Sequence, residues 1–96
     1  MAQDVLATVI DPDGRAVELT VRRWEHVVTG HPELATLQDQ VIQTVAMPSR
    51  RQLGPTGEEW FYGENQGPSR WLKVVVRYDS IHRGRIVTAF ARRSMP

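Results

Sequence analysis

The chain opens with two short segments that have the apolar and β-branched character of strands. The first is VLATVI (5–10) and the second is RAVEL (15–19), in which apolar and polar residues alternate. Between them lies DPDG (11–14), and an aspartate–glycine pair is typical of a tight hairpin turn. The sequence therefore predicts a β-hairpin with Asp13 and Gly14 at its tip.

Apolar residues next recur three and four positions apart, which is the spacing of one buried face of an α-helix. Thr20 can cap a first helix and Gly30 can end it, so the pattern predicts a helix over about 20–29. A second helix is predicted over about 33–47, because its apolar face ends just before Pro48 and proline cannot continue a helix. Each helix is expected to bury one face against another element.

The second half of the chain is rich in aromatic and β-branched residues separated by turn residues, which indicates strands. Four strands are predicted, over residues 49–53, 58–63, 70–78 and 85–92. Helices and strands segregated along a chain are typical of an α+β fold. The sequence thus predicts two N-terminal helices packed on one face of an antiparallel sheet, in the order hairpin, two helices and four-stranded meander. The 96 residues match the size of a single domain, residues 1–96.

Alternation along the two longest predicted strands assigns cations and a hydroxyl to one face of the sheet. In strand 70–78 the apolar face is expected to meet the helices. The opposite face carries Lys73 and Arg77 from this strand, and Thr88 and Arg92 from the last strand. If the two strands are antiparallel neighbours without a bulge, these four side chains form a cationic surface that suits phosphate. A solvated face with scattered charges is the alternative interpretation.

Aromatic residues and net charge both favour a nucleic-acid ligand. Trp71 shares the predicted face of Lys73 and is a candidate substrate-binding residue for base stacking, whereas Trp60 is expected in the core. Residues 1–48 carry three basic and seven acidic side chains, and residues 49–96 carry nine basic and four acidic ones. The second half therefore has a net charge of +5, which predicts weak, salt-sensitive RNA binding.

Two histidines are candidates for proton transfer, because imidazole exchanges protons near neutral pH. His26 lies on the polar side of the first predicted helix, and His31 lies in the tight junction GHPE between the helices. The alternatives are a simply exposed His26 and a His31 that caps the second helix. The spacing of His26, His31 and Glu33 is not that of a zinc site, and no carboxylate cluster accompanies them. We therefore expect no metal and no cofactor.

The sequence contains no cysteine, which excludes a disulfide scaffold and a zinc–thiolate module. This composition is compatible with a reducing compartment, and a cytoplasmic protein is expected. The first residues lack the basic region and apolar run of a signal peptide. No segment approaches the roughly 18 apolar residues of a membrane span, so no membrane partner is expected.

An ordered series of motifs connects these candidate residues. The series runs WEHVVTGHPEL (24–34), an apolar helix ending at Pro48, then WFYG, WLKVVVRY and IVTAF. It resembles the phage-associated branch of the barnase–EndoU–colicin–RelE superfold of ribonucleases and ribonuclease toxins. The resemblance covers about residues 18–92, and its most specific pieces are the first and last motifs of the series.

The resemblance implies a metal-independent endoribonuclease or a ribonuclease-toxin-like domain, in which the 2′-hydroxyl of RNA attacks the adjacent phosphate. By position, His26 matches the helical histidine and Thr88 the hydroxyl of the final strand, with Lys73 and Arg77 as cations of the central strand. Histidine supplies proton transfer and the cations stabilise the transition state. His26 is the preferred proton-transfer group and His31 is the second candidate.

The expected partners are RNA and a protein inhibitor or antitoxin. The alternative is a catalytically inactive RNA- or protein-binding domain of the same fold, such as a phage or mobile-element accessory protein. The two functions differ in one spatial requirement, because catalysis needs a histidine close to Arg77 and Thr88.

Overall fold

The first part of the sheet is a hairpin that lies where the sequence predicts it. The computed structural model, which describes residues 4–94, has strand β1 at Val5–Ile10 and strand β2 at Ala16–Thr20. The two strands pair antiparallel, with Val9 opposite Val17. Both valines are buried, so one face of the hairpin contributes to the core.

The turn of the hairpin is closed by its own aspartate. The carboxylate of Asp11 accepts hydrogen bonds from the backbone N–H groups of Asp13 and Arg15, each at 2.9 Å. Gly14 has a φ of 83°, a left-handed conformation that glycine adopts without steric penalty. The predicted turn chemistry therefore sets the pairing of β1 with β2.

Two α-helices follow the hairpin directly. Helix α1 spans Val21–Gly30, and the hydroxyl of Thr20 caps it by accepting the backbone N–H of Arg23 at 3.2 Å. Helix α2 spans Gln38–Ala46 and ends before Pro48. Within the described part of the chain, no helix is both long and apolar enough to cross a membrane.

The predicted helix over 33–47 is wrong at its start, where the chain forms a 3₁₀ turn at Pro32–Leu34. The backbone N–H of Leu37 bonds to the carbonyl of Leu34 at 2.9 Å, so three-residue turns continue up to α2. Apolar residues three positions apart share one side of a 3₁₀ turn as well as of an α-helix. The apolar spacing therefore could not distinguish the two conformations.

Four further strands complete the sheet. They are β3 at Arg50–Leu53, β4 at Glu59–Glu64, β5 at Trp71–Tyr78 and β6 at Arg83–Arg92. Consecutive strands among these four pair antiparallel. The order across the whole sheet is β1-β2-β6-β5-β4-β3, so the hairpin is joined to the last strand of the chain.

The predicted arrangement of two N-terminal helices on an antiparallel four-stranded meander is wrong. The protein is an α+β domain with one mixed, six-stranded sheet, because residues 16–18 of β2 pair in parallel with residues 83–85 of β6. The helices follow the hairpin along the chain. Residues 79–84 were expected to be a connection only, yet β6 begins at Arg83. Local alternation carries no information about which distant strand edges meet, so the sequence pattern could not reveal the parallel pair.

The core lies between the two helices and one face of the sheet. Helix α1 contacts β2 and β6, whereas α2 contacts β1, β4 and β5. The most deeply buried core residues are Val17, Leu19, Val27, Leu34, Val41, Val45, Phe61, Leu72, Val74, Val76, Ile86 and Ala89. Burial of each such aliphatic or aromatic side chain contributes about 1.5–3 kcal/mol to folding. The apolar face of β5 meets the helices, as its alternation predicts.

A β-bulge between β5 and β6 changes the face on which one residue lies. Val75 pairs with Thr88, but the next pair is Val76 with Ile86, so Val87 is an extra residue on β6. Simple alternation puts Ile86 on the same face as Thr88, and this is wrong, because Ile86 is fully buried in the core. The expectation of pairing without a bulge is therefore also wrong.

A buried aspartate fastens the hairpin to the meander. The hydroxyl of Tyr78 donates a hydrogen bond to the carboxylate of Asp11 at 2.7 Å. Arg15 bonds the same carboxylate at 2.8 Å, and its guanidinium lies 3.6 Å from the centre of the Tyr78 ring. The ring lies against Gly84 on β6, where an added Cβ would lie 2.6 Å from a ring atom. Tyr78 therefore reaches Asp11 because Gly84 has no side chain.

Three further ion pairs extend this attachment to the far edge of the sheet. Arg15 also pairs with Glu59 on β4 at 2.7 Å. Arg51 on β3 pairs with the same glutamate and with Asp13 of the hairpin turn, each at 2.8 Å. An isolated ion pair between partly exposed side chains contributes little to the stability of a protein. These pairs share partners and therefore form one network. The hairpin turn is thus linked to β3, β4 and β5.

We expect Tyr78→Phe to lower the free energy of unfolding by about 1.5–3 kcal/mol at neutral pH, because it removes a hydrogen bond to a buried carboxylate. Burial raises the pKa of Asp11, but the N–H of Arg15, the Tyr78 hydroxyl and the Arg15 guanidinium together hold it below the ordinary value of 3.8. Because the pKa of Asp11 is lower in the folded protein, its carboxylate stabilises the fold at pH values above 3.8. This contribution is lost as the pH falls through the lowered pKa of the folded state. Urea unfolding of both proteins, at neutral pH and below pH 3.8, should show the difference shrinking in acid. A difference that does not change with pH would contradict this role of Asp11.

Candidate functional site

The face of the sheet that points away from the helices is aromatic and cationic. The register pairs Tyr62 with Lys73, and Lys73 with Phe90, so these three side chains lie side by side on that face. Trp60 precedes Tyr62 by two positions on β4 and therefore shares its face. We call this surface the aromatic face; its residues are Trp60, Tyr62, Trp71, Lys73, Thr88, Phe90 and Arg92.

Lys73 lies at the centre of the aromatic face. Its ammonium nitrogen is 3.5 Å from the centre of the Trp60 ring, 5.5 Å from that of Phe90 and 5.7 Å from that of Tyr62. The residue is only 5% exposed. Among residues 4–94, no ion pair within 4.0 Å involves Lys73. Cation–π attraction, worth about 1–2 kcal/mol, is therefore the main contact of the ammonium group.

The environment of Lys73 disfavours its positive charge. Burial lowers its pKa below the ordinary value of 10.5, and the neighbouring positive charge of Arg92 lowers the pKa further. Glu58 acts in the opposite direction but lies beyond ion-pair distance. A buried cation that lacks a close carboxylate attracts anions, because an anion would stabilise the charged form.

His31 is the predicted histidine that reaches the aromatic face. Its backbone N–H bonds to the carbonyl of Val27 at 2.7 Å and ends α1, the helix that contacts β6. The imidazole stacks on the ring of Phe90, with centroids 5.6 Å apart and planes inclined by 29°. Its Nδ1 atom lies 3.8 Å from the carboxylate of Glu33. Phe90 is thus in contact with both His31 and Lys73.

His26, the preferred candidate from the sequence, is exposed on α1. Within residues 4–94, no side-chain hydrogen bond, ion pair or ring contact joins His26 to the sheet. The side chain of His31 makes no capping hydrogen bond to the following turn, so the alternative of a helix cap does not describe it. His82 is exposed just before β6. Of these histidines, His31 is the one that contacts Phe90, a ring that also lies beside Lys73.

Thr88 and Arg92 lie on the face that strand alternation predicts. Thr88 is half-buried and pairs with Val75, which makes it a diagonal neighbour of Lys73. Arg92 is also half-buried and lies opposite Trp71. Trp71 is 8% exposed, so it offers little ring surface to a ligand.

Arg77 is separated from this group by the β-bulge. It lies opposite Arg85, and its guanidinium is 3.6 Å from the carboxylate of Glu58. Thr88 pairs with Val75 and not with Arg77. The structure therefore brings Lys73, and not Arg77, next to Phe90, the ring that His31 contacts.

Two aromatic residues of this face, Trp60 and Phe90, were not assigned to the site from the sequence, whereas Tyr62 was one of the residues considered for base stacking. Trp60 was expected in the core, but it is half-buried and holds the Lys73 ammonium. Phe90 joins His31 to Lys73, and Tyr62 packs at right angles to Trp71 with centroids 6.4 Å apart. Alternation along β4 is the signal that relates Trp60 to Tyr62. It does not give the register with β5, so it could not show which side chain lies opposite Lys73.

The arrangement is chemically suited to an anion that carries aromatic groups. Within residues 4–94, no group of three or more metal-ligating side chains is present. The aromatic face instead combines an ammonium, a guanidinium and hydroxyls with an imidazole at its border. Such donors bind phosphate oxygens, and half-buried rings can stack on bases. The groups concerned are Lys73, Arg92, Tyr62, Thr88 and His31, with the rings of Trp60 and Phe90.

Comparison with known proteins gives no match: no family model matches the sequence, and neither a curated protein nor a solved structure is similar to it. The resemblance to ribonucleases therefore stays a hypothesis that rests on the residues themselves.

We expect the stability of the wild type to rise relative to Lys73→Met as the pH increases from about 8 towards 10.5, the ordinary pKa of lysine. Because the pKa of Lys73 is lowered in the folded state, the unfolded chain binds more protons in this range, and stability then rises with pH. Lys73 is the only lysine, so the comparison isolates one ammonium group, and both proteins share the same tyrosines. Urea unfolding at several pH values measures the effect. A constant difference across the range would show that the ammonium is not desolvated.

Proposed function

We propose that the protein is a metal-independent endoribonuclease, or a ribonuclease-toxin-like domain, that acts on RNA at the aromatic face. The contact of one ring, Phe90, with both His31 and Lys73 is the observation that carries this proposal. It brings a proton-transfer group and a cation to the same surface. The resemblance of the motif series to ribonucleases points to the same class of reaction.

The proposed reaction needs only groups of the RNA and of this chain. His31 takes the proton of the 2′-hydroxyl, and the 2′-oxygen forms a bond to phosphorus. The bond from phosphorus to the 5′-oxygen breaks, which leaves a 2′,3′-cyclic phosphate and a 5′-hydroxyl. Lys73 is the proposed donor of the proton to the leaving oxygen, because burial and the charge of Arg92 lower the pKa of its ammonium and make it a better acid.

Transition-state charge is proposed to be stabilised by the remaining polar groups of the face. Arg92 can form paired hydrogen bonds to the non-bridging oxygens of the pentacoordinate phosphate. Thr88, a diagonal neighbour of Lys73, can donate a further hydrogen bond to one of them. Arg77 is already paired with Glu58, so the proposal gives it no direct role in the chemistry.

A second candidate function is binding of RNA without cleavage. The same stacked contact favours this function. Phe90 covers one face of the His31 ring, and the Nδ1 atom of His31 lies near Glu33, so the imidazole is held in place. Half-exposed Trp60 and Phe90 would then stack on bases. Under either function the proposed partner is RNA, with a protein inhibitor or antitoxin as a further partner and the cytoplasm as the site of action.

We expect purified protein to cleave RNA in the presence of EDTA and to leave 2′,3′-cyclic phosphate ends. His31→Ala should lower turnover by a factor of about 10²–10⁴, because it removes proton transfer. His26→Ala should have a much smaller effect, since that side chain lies away from the sheet. His82→Ala is the matched control, because it removes an imidazole from an exposed position just before β6. Gel analysis of a labelled oligoribonucleotide measures the rates and the end groups.

Three outcomes would redirect the proposal. Cleavage that disappears in EDTA and returns with Mg²⁺ would rule out the metal-independent reaction. Binding of RNA without cleavage by any variant would leave the RNA-binding function as the explanation of the site. A loss that follows His26→Ala rather than His31→Ala would show that the contact between His31 and Phe90 does not mark the catalytic group.

We also expect RNA affinity to fall as salt concentration rises, in proportion to the number of phosphates neutralised. Lys73→Met and Arg92→Ala should each weaken binding and reduce the salt dependence by about one phosphate contact. Arg22→Ala removes the same charge from an exposed position on α1 and should leave the salt dependence unchanged. Fluorescence anisotropy with a 2′-O-methyl oligoribonucleotide, which cannot be cleaved, measures the affinity at two salt concentrations. An equal effect of all three substitutions would indicate non-specific attraction by net charge.

A further inference from the structure

Tyr62 carries a hydroxyl group that the fold itself does not use. The residue is 0% exposed, and its hydroxyl oxygen is buried without a hydrogen-bond partner within residues 4–94. A buried polar group without a partner destabilises the folded state, because it has lost its bonds to water. Phenylalanine would fill the same space without this loss. The hydroxyl is therefore a candidate for a contact with something other than the protein.

The surroundings of this hydroxyl indicate the charge of the missing contact. Lys73 lies directly opposite Tyr62 on the neighbouring strand. Burial raises the pKa of Tyr62 and lowers the pKa of Lys73. The positive charge of Arg92 acts to lower both pKa values, so Arg92 lies near both side chains. Among residues 4–94, neither cation has a carboxylate within ion-pair distance. A hydroxyl donor beside two cations without a carboxylate is suited to an anion.

The contact of Lys73 with Trp60 suggests how an anion gains access. Lysine has a flexible four-carbon stem, and cation–π attraction at 3.5 Å is weaker than a hydrogen-bonded ion pair with a phosphate. An anion beside Arg92 would draw the ammonium away from the Trp60 ring. That movement would uncover the hydroxyl of Tyr62, which lies in the same cluster of side chains.

We propose that Tyr62, Lys73 and Arg92 form a binding site for one phosphate group, in which the Tyr62 hydroxyl donates a hydrogen bond to a phosphate oxygen. The two cations neutralise the charge of the group. The inference rests on the proposed function for the identity of the natural ligand, a phosphodiester of RNA. It concerns binding alone and requires no cleavage.

The test is a thermal-unfolding titration of the wild type and two tyrosine variants. Potassium phosphate is the first probe, compared with potassium chloride at equal ionic strength, and a 2′-O-methyl oligoribonucleotide is the second. Tyr62→Phe removes the hydroxyl without a partner, and Tyr78→Phe removes a hydroxyl that bonds Asp11 at 2.7 Å. The second variant is the matched control, because it makes the same chemical change to a hydroxyl that already has a hydrogen-bond partner.

We expect Tyr62→Phe to melt at a higher temperature than the wild type in chloride, because an unsatisfied buried hydroxyl is gone. In phosphate, the wild type should gain stability and Tyr62→Phe should bind about tenfold more weakly, as expected for the loss of one hydrogen bond to a charged group. Tyr78→Phe should melt at a lower temperature and keep the full response to phosphate. General salting effects of phosphate act on all three proteins alike and cancel in the comparison.

Equal responses of the wild type and Tyr62→Phe to both probes would overturn the phosphate site. The site and the proposed function can fail separately. A response to phosphate that depends on Tyr62, in a protein that neither binds nor cleaves RNA, supports a site for free phosphate and refutes the RNA function. RNA cleavage at the same rate and affinity in Tyr62→Phe supports the ribonuclease and refutes this site.

Discussion

The hydrogen bond from Tyr78 to the buried carboxylate of Asp11 fastens the hairpin to the meander, in addition to the pairing of β2 with β6. The bond runs from the end of β5 to the hairpin turn, and β6 lies between these strands. It is possible because Gly84 leaves room for the Tyr78 ring. The same carboxylate closes the hairpin turn and holds Arg15, so one side chain sets local and distant pairing together. The strand pairing itself is short, because only three residue pairs join β2 to β6.

The bulge at Val87 changes which residues of the last strand lie on each face of the sheet. Before the bulge, β6 contributes Ile86 to the core beneath the helices. After it, Thr88 and Phe90 lie on the aromatic face, where Phe90 contacts His31 and Lys73. A regular strand would bring Ile86 to the same face as Thr88 and turn Val87 towards the core in its place. Core packing and the aromatic face therefore depend on the same irregularity.

Local chemistry made part of this structure predictable. The hairpin turn follows from Asp13 and Gly14, the cap of α1 from Thr20, and the apolar face of β5 from its alternation. The parallel pair between β2 and β6 was not predictable, because it depends on which distant edges meet after collapse. The candidate site was likewise predictable only where it depends on local chemistry. Lys73, Thr88 and Arg92 share a face as alternation indicates, whereas the approach of His31 to Phe90 depends on how α1 packs beside β6.

The pairing of the hairpin with β6 also sets an order of assembly during synthesis. Helices α1 and α2 and strands β3 to β5 leave the ribosome before residues 83–92, yet β2 has no partner on its inner edge until those residues arrive. Contacts between distant parts of a chain form late and slowly. Phe90 and Arg92 lie on the same late strand, so the aromatic face cannot exist on a nascent chain that stops before them. The aromatic face therefore forms only after most of the described residues have been made.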